Sequence, residues 1–254
     1  MREADRGEMH LREDCPRVAS VLALADTNRS TRLSMYGGGA TLRGIDEALD
    51  YLRQANSAFG ESPRLKPLQR LVARALAELE TAVFAFLTGF HAVLFDSMRS
   101  AMEIEFLLRD FLLWPSHLDE WSSLEAKERR QKFSPVKLRE RYQRWLGCMS
   151  ADSQESSDYA LHSEFLHVNP SDNPSGVPGA TTDSHPAHLR ICLAEITSHT
   201  GRIITLVHRH WRELPLDVSL TRETAPELPL FEDAWSRAEL GVAMWWPQQH
   251  DGGS

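Results

Sequence analysis

Residues 65–113 decide the fold: LKPLQRLVARALAELETAVFAFLTGFHAVLFDSMRSAMEIEFLLRDFLL. Apolar residues recur there at steps of three and four, the spacing that places them on one face of an α-helix. Because 49 residues are long for one helix of a globular protein, we expect a break near Thr81 or Gly89. Trp114 and Pro115 end the segment, since the residue before a proline avoids the α region.

Helical spacing continues on both sides of this stretch. Residues 1–40 are expected to be an irregular, flexible N-terminal segment with a short helix after Pro16 and linkers at 28–31 and 37–39. A helix begins at Thr41 and another at Ser116. Further helices are expected over residues 134–147, 152–168, 186–214 and 231–245, with a long loop over 169–185.

No segment shows the strict alternation of a half-buried strand. The sequence therefore predicts an all-α protein, an antiparallel bundle of six to seven helices. Residues 41–246 would form a single helical domain, and residues 247–254 a polar tail.

Composition bounds the classes of function. The chain has 254 residues, 42% hydrophobic residues and a net charge of −8, which indicates a globular protein and argues against one that coats nucleic acid along its whole surface. Three dispersed cysteines without a Cys-x-x-Cys pair argue against a disulfide framework or a cysteine zinc site. The charged N-terminus does not resemble a signal peptide, and the longest apolar run, residues 82–95, is shorter than a membrane span. We expect a cytoplasmic protein of bacterial type with no membrane association.

The chain as a whole is acidic, but residues 127–145 form a basic run. This run contains eight Lys and Arg residues and two Glu residues. Phe133, Tyr142 and Trp145 are interleaved with the cations. Positive charge for phosphates and rings for bases are what single-stranded nucleic acid requires. RNA or another anionic partner would contact Arg129, Arg130, Lys132, Arg139 and Tyr142. The alternative is a solvated helix face whose aromatic side chains point into the core.

A second candidate site combines polar residues of two apolar helices. Arg99 and Glu103 lie four residues apart on one helix, and Tyr159, Ser163 and His167 follow the same step on another. If these helices face each other, Arg99, Glu103, Ser163 and His167 form a buried hydrogen-bonded cluster. Such a cluster would be structural or bind a small polar ligand; as a catalytic site it would use His167 for proton transfer.

Three motifs occur together in this chain: Arg99-Ser-Ala-Met-Glu103, Phe133-Ser134-Pro135-x-x-x-Arg139 and Tyr159-x-x-x-Ser163-x-x-x-His167-Val-Asn-Pro170. They resemble a group of uncharacterised bacterial all-helical proteins, similar in outline to the HEPN type of small helical domain. The resemblance covers roughly residues 65–210 and implies a metal-independent ribonuclease, of a toxin or phage-defence system, as an alternative function. Nucleolytic members carry an Arg followed after four to six residues by a His, which here selects Arg202 and His208, preferably across the interface of a homodimer.

Metal binding is the third alternative. Glu164 and His167 have the three-residue step of di-iron helical bundles, and His91, His167 and His208 are candidates for a facial metal site. A second Glu-x-x-His is missing, and so are the phosphate-binding, dinucleotide-binding and zinc-protease motifs. The sequence therefore assigns no metal ligand and no cofactor.

Overall fold

The computed structural model describes residues 14–147, 186–213 and 226–245. In chain order its helices are α1 (Pro16–Tyr36), α2 (Ala40–Glu61), α3 (Lys66–Thr88), α4 (His91–Leu113), α5 (Ser116–Ser123), α6 (Ala126–Lys132), α7 (Pro135–Trp145), α8 (Pro186–Arg212) and α9 (Pro229–Trp245). These ranges contain no strand, which confirms the predicted all-α class. The helix expected over residues 152–168, the loop over 169–185 and the tail over 247–254 lie outside the described residues.

The deciding stretch is broken at one of the two expected positions. Gly89 has a φ of 88°, a left-handed conformation that favours glycine, and its N–H donates to the Ala85 carbonyl at 2.9 Å. Thr81 stays helical, with its hydroxyl donating to the Ala77 carbonyl. The chain therefore turns at Gly89, and α3 and α4 pack against each other as neighbours.

The main body consists of α2, α3, α4, α8 and α9, which share one hydrophobic core. Helix α4 contacts α3, α8, α5 and α7, and 14 of its residues are buried. The fully buried side chains of the core include Leu52, Phe59, Val72, Phe86, Leu94, Met98, Ile196 and Val207. No helix within the described ranges is long and apolar enough to cross a membrane.

The N-terminal segment differs from the expectation. Residues 28–31, expected as a linker, lie inside the continuous helix α1. Arg32 is 1% exposed; its guanidinium donates to the Phe86 carbonyl and, at 3.2 Å, to His91 Nε2. Asn28 donates to the Thr88 carbonyl at 3.0 Å. Both residues therefore satisfy carbonyls at the end of α3, where a cation also interacts favourably with the helix dipole, and this contact anchors α1.

Helix α9 packs closely against the main body at two glycines. An added Cβ at Gly44 of α2 would lie 2.5 Å from the Leu230 carbonyl oxygen, and one at Gly201 of α8 would lie 2.6 Å from the Trp235 ring. Glu47 caps the start of α9 by accepting the Phe231 N–H at 2.9 Å. Small residues thus bring α9 close to both α2 and α8.

Candidate functional site

The basic run is built into a cap of three short helices, residues 116–145, which we name the basic cap. Its anchor is Asp110 of α4, which is 3% exposed. One Asp110 oxygen accepts the Arg141 Nε–H at 2.9 Å, and the other accepts the His117 Nδ1–H at 2.8 Å. A single buried carboxylate therefore fixes both α5 and α7 to the main body.

Aromatic contacts complete this attachment. The Phe111 ring of α4 lies 5.8 Å from the Trp121 ring and 6.1 Å from the Phe133 ring. Phe133 is 6% exposed, so it is a core residue and is not available to a ligand. Ser134 and Pro135 stand at the N-cap and first position of α7, as the sequence predicts.

An open cavity of about 410 Å³ lies between α6 and α7 and is lined by Leu124, Glu128, Gln131, Lys132, Lys137 and Arg141. We name it the cap groove. Lys137 is exposed, and Lys132 forms an ion pair with Glu120. Arg141 is held by Asp110 and by a bond from its Nη1 to the Lys132 carbonyl at 3.1 Å. Three cations and the Glu128 carboxylate thus line this open cavity, and two of the cations are paired with Glu120 and Asp110.

Of the five residues predicted to bind an anionic partner, only Lys132 lines the cap groove. Arg129 is structural, because its Nη2 donates to the Leu124 carbonyl at 2.7 Å and its guanidinium lies 4.9 Å from the Trp121 ring centre. Arg130 is exposed and Arg139 is half-buried, both outside the groove lining.

Tyr142, the fifth of these residues, is half-buried. The Arg109 guanidinium lies over its ring at 4.3 Å, and the Trp145 ring stacks beside it at 5.9 Å with an interplanar angle of 20°. Trp145 is 39% exposed. Among the three interleaved aromatic residues, Trp145 is therefore the one that solvent reaches most.

The predicted cluster of Arg99, Glu103, Ser163 and His167 is only partly described. Ser163 and His167 lie outside the described residues. Arg99 and Glu103 pair as expected, with 3.9 Å between Nε and Oε1, but their side chains are 33% and 42% exposed. The expectation that this pair is buried is wrong, because it lies on the side of α4 away from the core.

A buried polar cluster does exist on α4, two residues further along. Glu105 Oε1 lies 2.5 Å from His199 Nδ1, and Glu105 Oε2 lies 3.4 Å from Arg202 Nε. On the other side of the imidazole ring, Glu195 Oε2 lies 3.5 Å from His199 Nε2. We name Glu105, Glu195, His199 and Arg202 the α4–α8 cluster.

Both central groups of this cluster are held in their charged forms. Burial alone would raise the pKa of Glu105, but the positive charges of Arg202 and His199 outweigh it and lower that pKa. Burial alone would lower the pKa of His199, but the Glu105 carboxylate outweighs it and raises that pKa. The cluster is thus a charge-matched ion pair that joins two helices of the core, which is the arrangement of a structural network.

The sequence contains a pattern from which this cluster could have been predicted. Glu103 and Glu105 differ by about 200° around the helix axis, so only one of them faces α8. Glu195, His199 and Arg202 lie at steps of four and three on α8, which places all three on one face. Three charged residues on one face of an apolar helix could have predicted a buried polar cluster on α8.

The predicted ribonuclease pair has two separate environments. Arg202 belongs to the α4–α8 cluster, whereas His208 Nδ1 lies 2.8 Å from the Tyr51 hydroxyl of α2. Six residues separate the two by about 120° around the axis of α8. Within one protomer, the two side chains therefore contact different neighbours.

The described residues contain no group of three or more His, Cys, Asp and Glu side chains arranged to hold a metal ion. His91 contacts Arg32 and His208 contacts Tyr51, so these two members of the predicted facial site have different partners. Glu164 and His167 lie outside the described residues. Comparisons with family models, with curated proteins and with solved structures find no match for this chain.

Proposed function

We propose that the protein binds a polyanionic partner through the cap groove. The observation that carries this proposal is that Lys132, Lys137 and Arg141 line one open cavity. Multivalent anions gain affinity from several cations at once, because each phosphate that is neutralised releases counterions.

The cap concentrates positive charge in an otherwise acidic protein. Residues 116–145 contain eight Lys and Arg residues against five Asp and Glu residues, while the whole chain carries a net charge of −8. Repulsion by the remaining surface directs an anion to this region and opposes contact elsewhere.

The groove cations are also held in place before a ligand arrives. Arg141 is fixed by the buried Asp110 carboxylate, and its guanidinium lies 5.2 Å from the Phe133 ring centre. Lys132 is held by Glu120. Binding therefore requires little ordering of these side chains, which reduces its entropic cost.

The test is a binding titration of the full chain with a fluorescent 20-nucleotide single-stranded RNA, competed with inorganic polyphosphate. The double variant Lys132→Glu/Lys137→Glu is expected to weaken binding by roughly tenfold or more. The plot of log affinity against log salt concentration should become shallower by about 1.4, because about 0.7 counterions are released per phosphate contact of a single strand.

The matched control is Arg43→Glu/Arg70→Glu, which makes the same change in net charge at two exposed positions of α2 and α3. We expect its affinity to stay within about twofold of wild type, since long-range charge is screened beyond roughly 10 Å at 0.1 M salt. Equal losses in both double variants, or no binding by the wild-type chain, would overturn the proposal.

A further inference from the structure

We infer that the ligand of the cap groove is a single-stranded nucleic acid, one of whose bases stacks on Trp145. This inference rests on the proposed function and specifies its ligand. The observation behind it is a stripe on α7 in which Lys137, Arg141 and Trp145 follow one another at steps of four residues.

The stripe places an aromatic ring directly after the cations of the groove. Residues four apart on an α-helix lie about 6 Å apart and on nearly the same side, so Trp145 stands one turn beyond Arg141. The three positions span about 12 Å of α7. Lys137 and Arg141 line the groove. Trp145 lies on the same side of α7, one turn beyond the residues that line the groove.

The Trp145 ring is both supported and accessible. Tyr142 stacks beside it at 5.9 Å, and the Arg109 guanidinium from α4 lies over Tyr142 at 4.3 Å. This series of stacked groups anchors the indole to the main body, while 39% of Trp145 stays exposed. A fixed, flat and open aromatic surface beside a row of cations is the arrangement that binds unpaired bases.

The presence of an indole distinguishes this ligand from other polyanions. Bases in a duplex are stacked on each other and do not offer a free face, whereas bases of a single strand do. Polyphosphate carries charge but no ring. Trp145 is therefore expected to contribute to the binding of single strands and not to the binding of duplexes or polyphosphate.

The experiment titrates the full chain with four probes: single-stranded RNA, single-stranded DNA of the same sequence, the RNA duplex and inorganic polyphosphate. Trp145→Ala is expected to weaken binding of both single strands by roughly tenfold and to leave polyphosphate binding within about twofold. Trp145→Phe should retain most of the affinity because it keeps a ring. Phe84→Ala is the matched control, since Phe84 is an aromatic residue of α3 that is 59% exposed, and it should change nothing.

The outcomes separate this inference from the proposed function. If Trp145→Ala leaves single-strand binding unchanged, or weakens all four probes equally, the stacking inference is overturned while the groove proposal stands. If Lys132→Glu/Lys137→Glu leaves the binding of every probe unchanged, both are overturned. Thermal unfolding of each variant, followed by circular dichroism, confirms that the compared proteins are folded.

Discussion

Glu105 Oε1 and His199 Nδ1 lie 2.5 Å apart although 94 residues separate them in the chain. Their side chains are 3% and 1% exposed, so water does not compensate either charge. Because each group depends on the other to remain charged in the core, this contact holds α4 and α8 in one relative position.

We predict that His199→Ala lowers the free energy of unfolding by about 3–5 kcal/mol, the cost of removing one partner from a buried ion pair. The Glu105 carboxylate would keep only Arg202 as a close partner in the α4–α8 cluster. Urea unfolding followed by circular dichroism measures the change.

The control uses the exposed pair on the same helix. Arg99→Ala and Glu103→Ala remove a contact with a four-residue step, but their side chains are 33% and 42% exposed. Each change should cost about 0–1 kcal/mol, because solvent screens such pairs. A cost for His199→Ala no larger than for these variants would contradict a stabilising role of the cluster.

The pH dependence of stability should contain a contribution from His210. Burial lowers the pKa of this imidazole to about 4, and its neutral Nε2–H donates to the Leu108 carbonyl at 2.9 Å. Between pH 6.5 and about 4, His210 is protonated in the unfolded chain and stays neutral in the folded chain. Stability is therefore lost as pH falls through this window, by up to about 3 kcal/mol.

His210→Gln should flatten this part of the stability profile, measured by urea unfolding at several pH values. His199 contributes to the pH dependence of stability with the opposite sign, because its pKa is raised in the folded protein. Its contribution is present below pH 6.5 and is lost as pH rises through the folded pKa. Identical slopes for wild type and His210→Gln between pH 4 and 6.5 would refute the assignment.

The close approach of α8 and α9 predicts that Gly201→Ala is destabilising. The new Cβ would lie 2.6 Å from the Trp235 ring, and we expect a cost of about 1–3 kcal/mol from overpacking. Gly38→Ala is the matched control, because no atom lies within 4 Å of the added Cβ there, and its melting temperature should not fall. Equal melting temperatures for both variants would rule out this close contact.

Arg32→Met should loosen α1. The methionine fills a similar volume but cannot donate to the Phe86 carbonyl, and an unsatisfied buried carbonyl costs about 1–3 kcal/mol. Relative to the wild-type chain, amide hydrogen exchange should become faster in α1 and stay unchanged in α8. Arg29→Met is the control, since Arg29 is 54% exposed and lies one turn away, and it should have little effect. If exchange in α1 is unchanged by Arg32→Met, this arginine does not anchor the helix.

The fold was predictable because its signals are local. Apolar periodicity predicts the helices, and Gly89, one of the two expected break positions, adopts a left-handed conformation at the turn between α3 and α4. The linker expected at residues 28–31 was wrong for the opposite reason. Polar residues there suggest a loop, but Asn28 and Arg32 find carbonyl partners more than 50 residues away.

The sequence predicted which types of residue form the candidate sites, but not which individual residues do so. The sequence indicates a basic, aromatic segment; in the structure Lys132, Lys137 and Arg141 of this segment line the cap groove, Trp145 is exposed and Phe133 is buried. The sequence likewise indicates charge within the apolar helix α4. Which side of that helix faces α8 depends on packing, so the buried carboxylate is Glu105 and not Glu103.

The sequence by itself determined the helical class, a break near Thr81 or Gly89 and the concentration of positive charge in residues 127–145, because each depends on neighbours in the chain. Only the tertiary structure decided which charges are buried as pairs and which face the cap groove. The physical reason is that desolvation and ion pairing act between residues that are distant in sequence, such as Glu105 and His199 or Asp110 and Arg141.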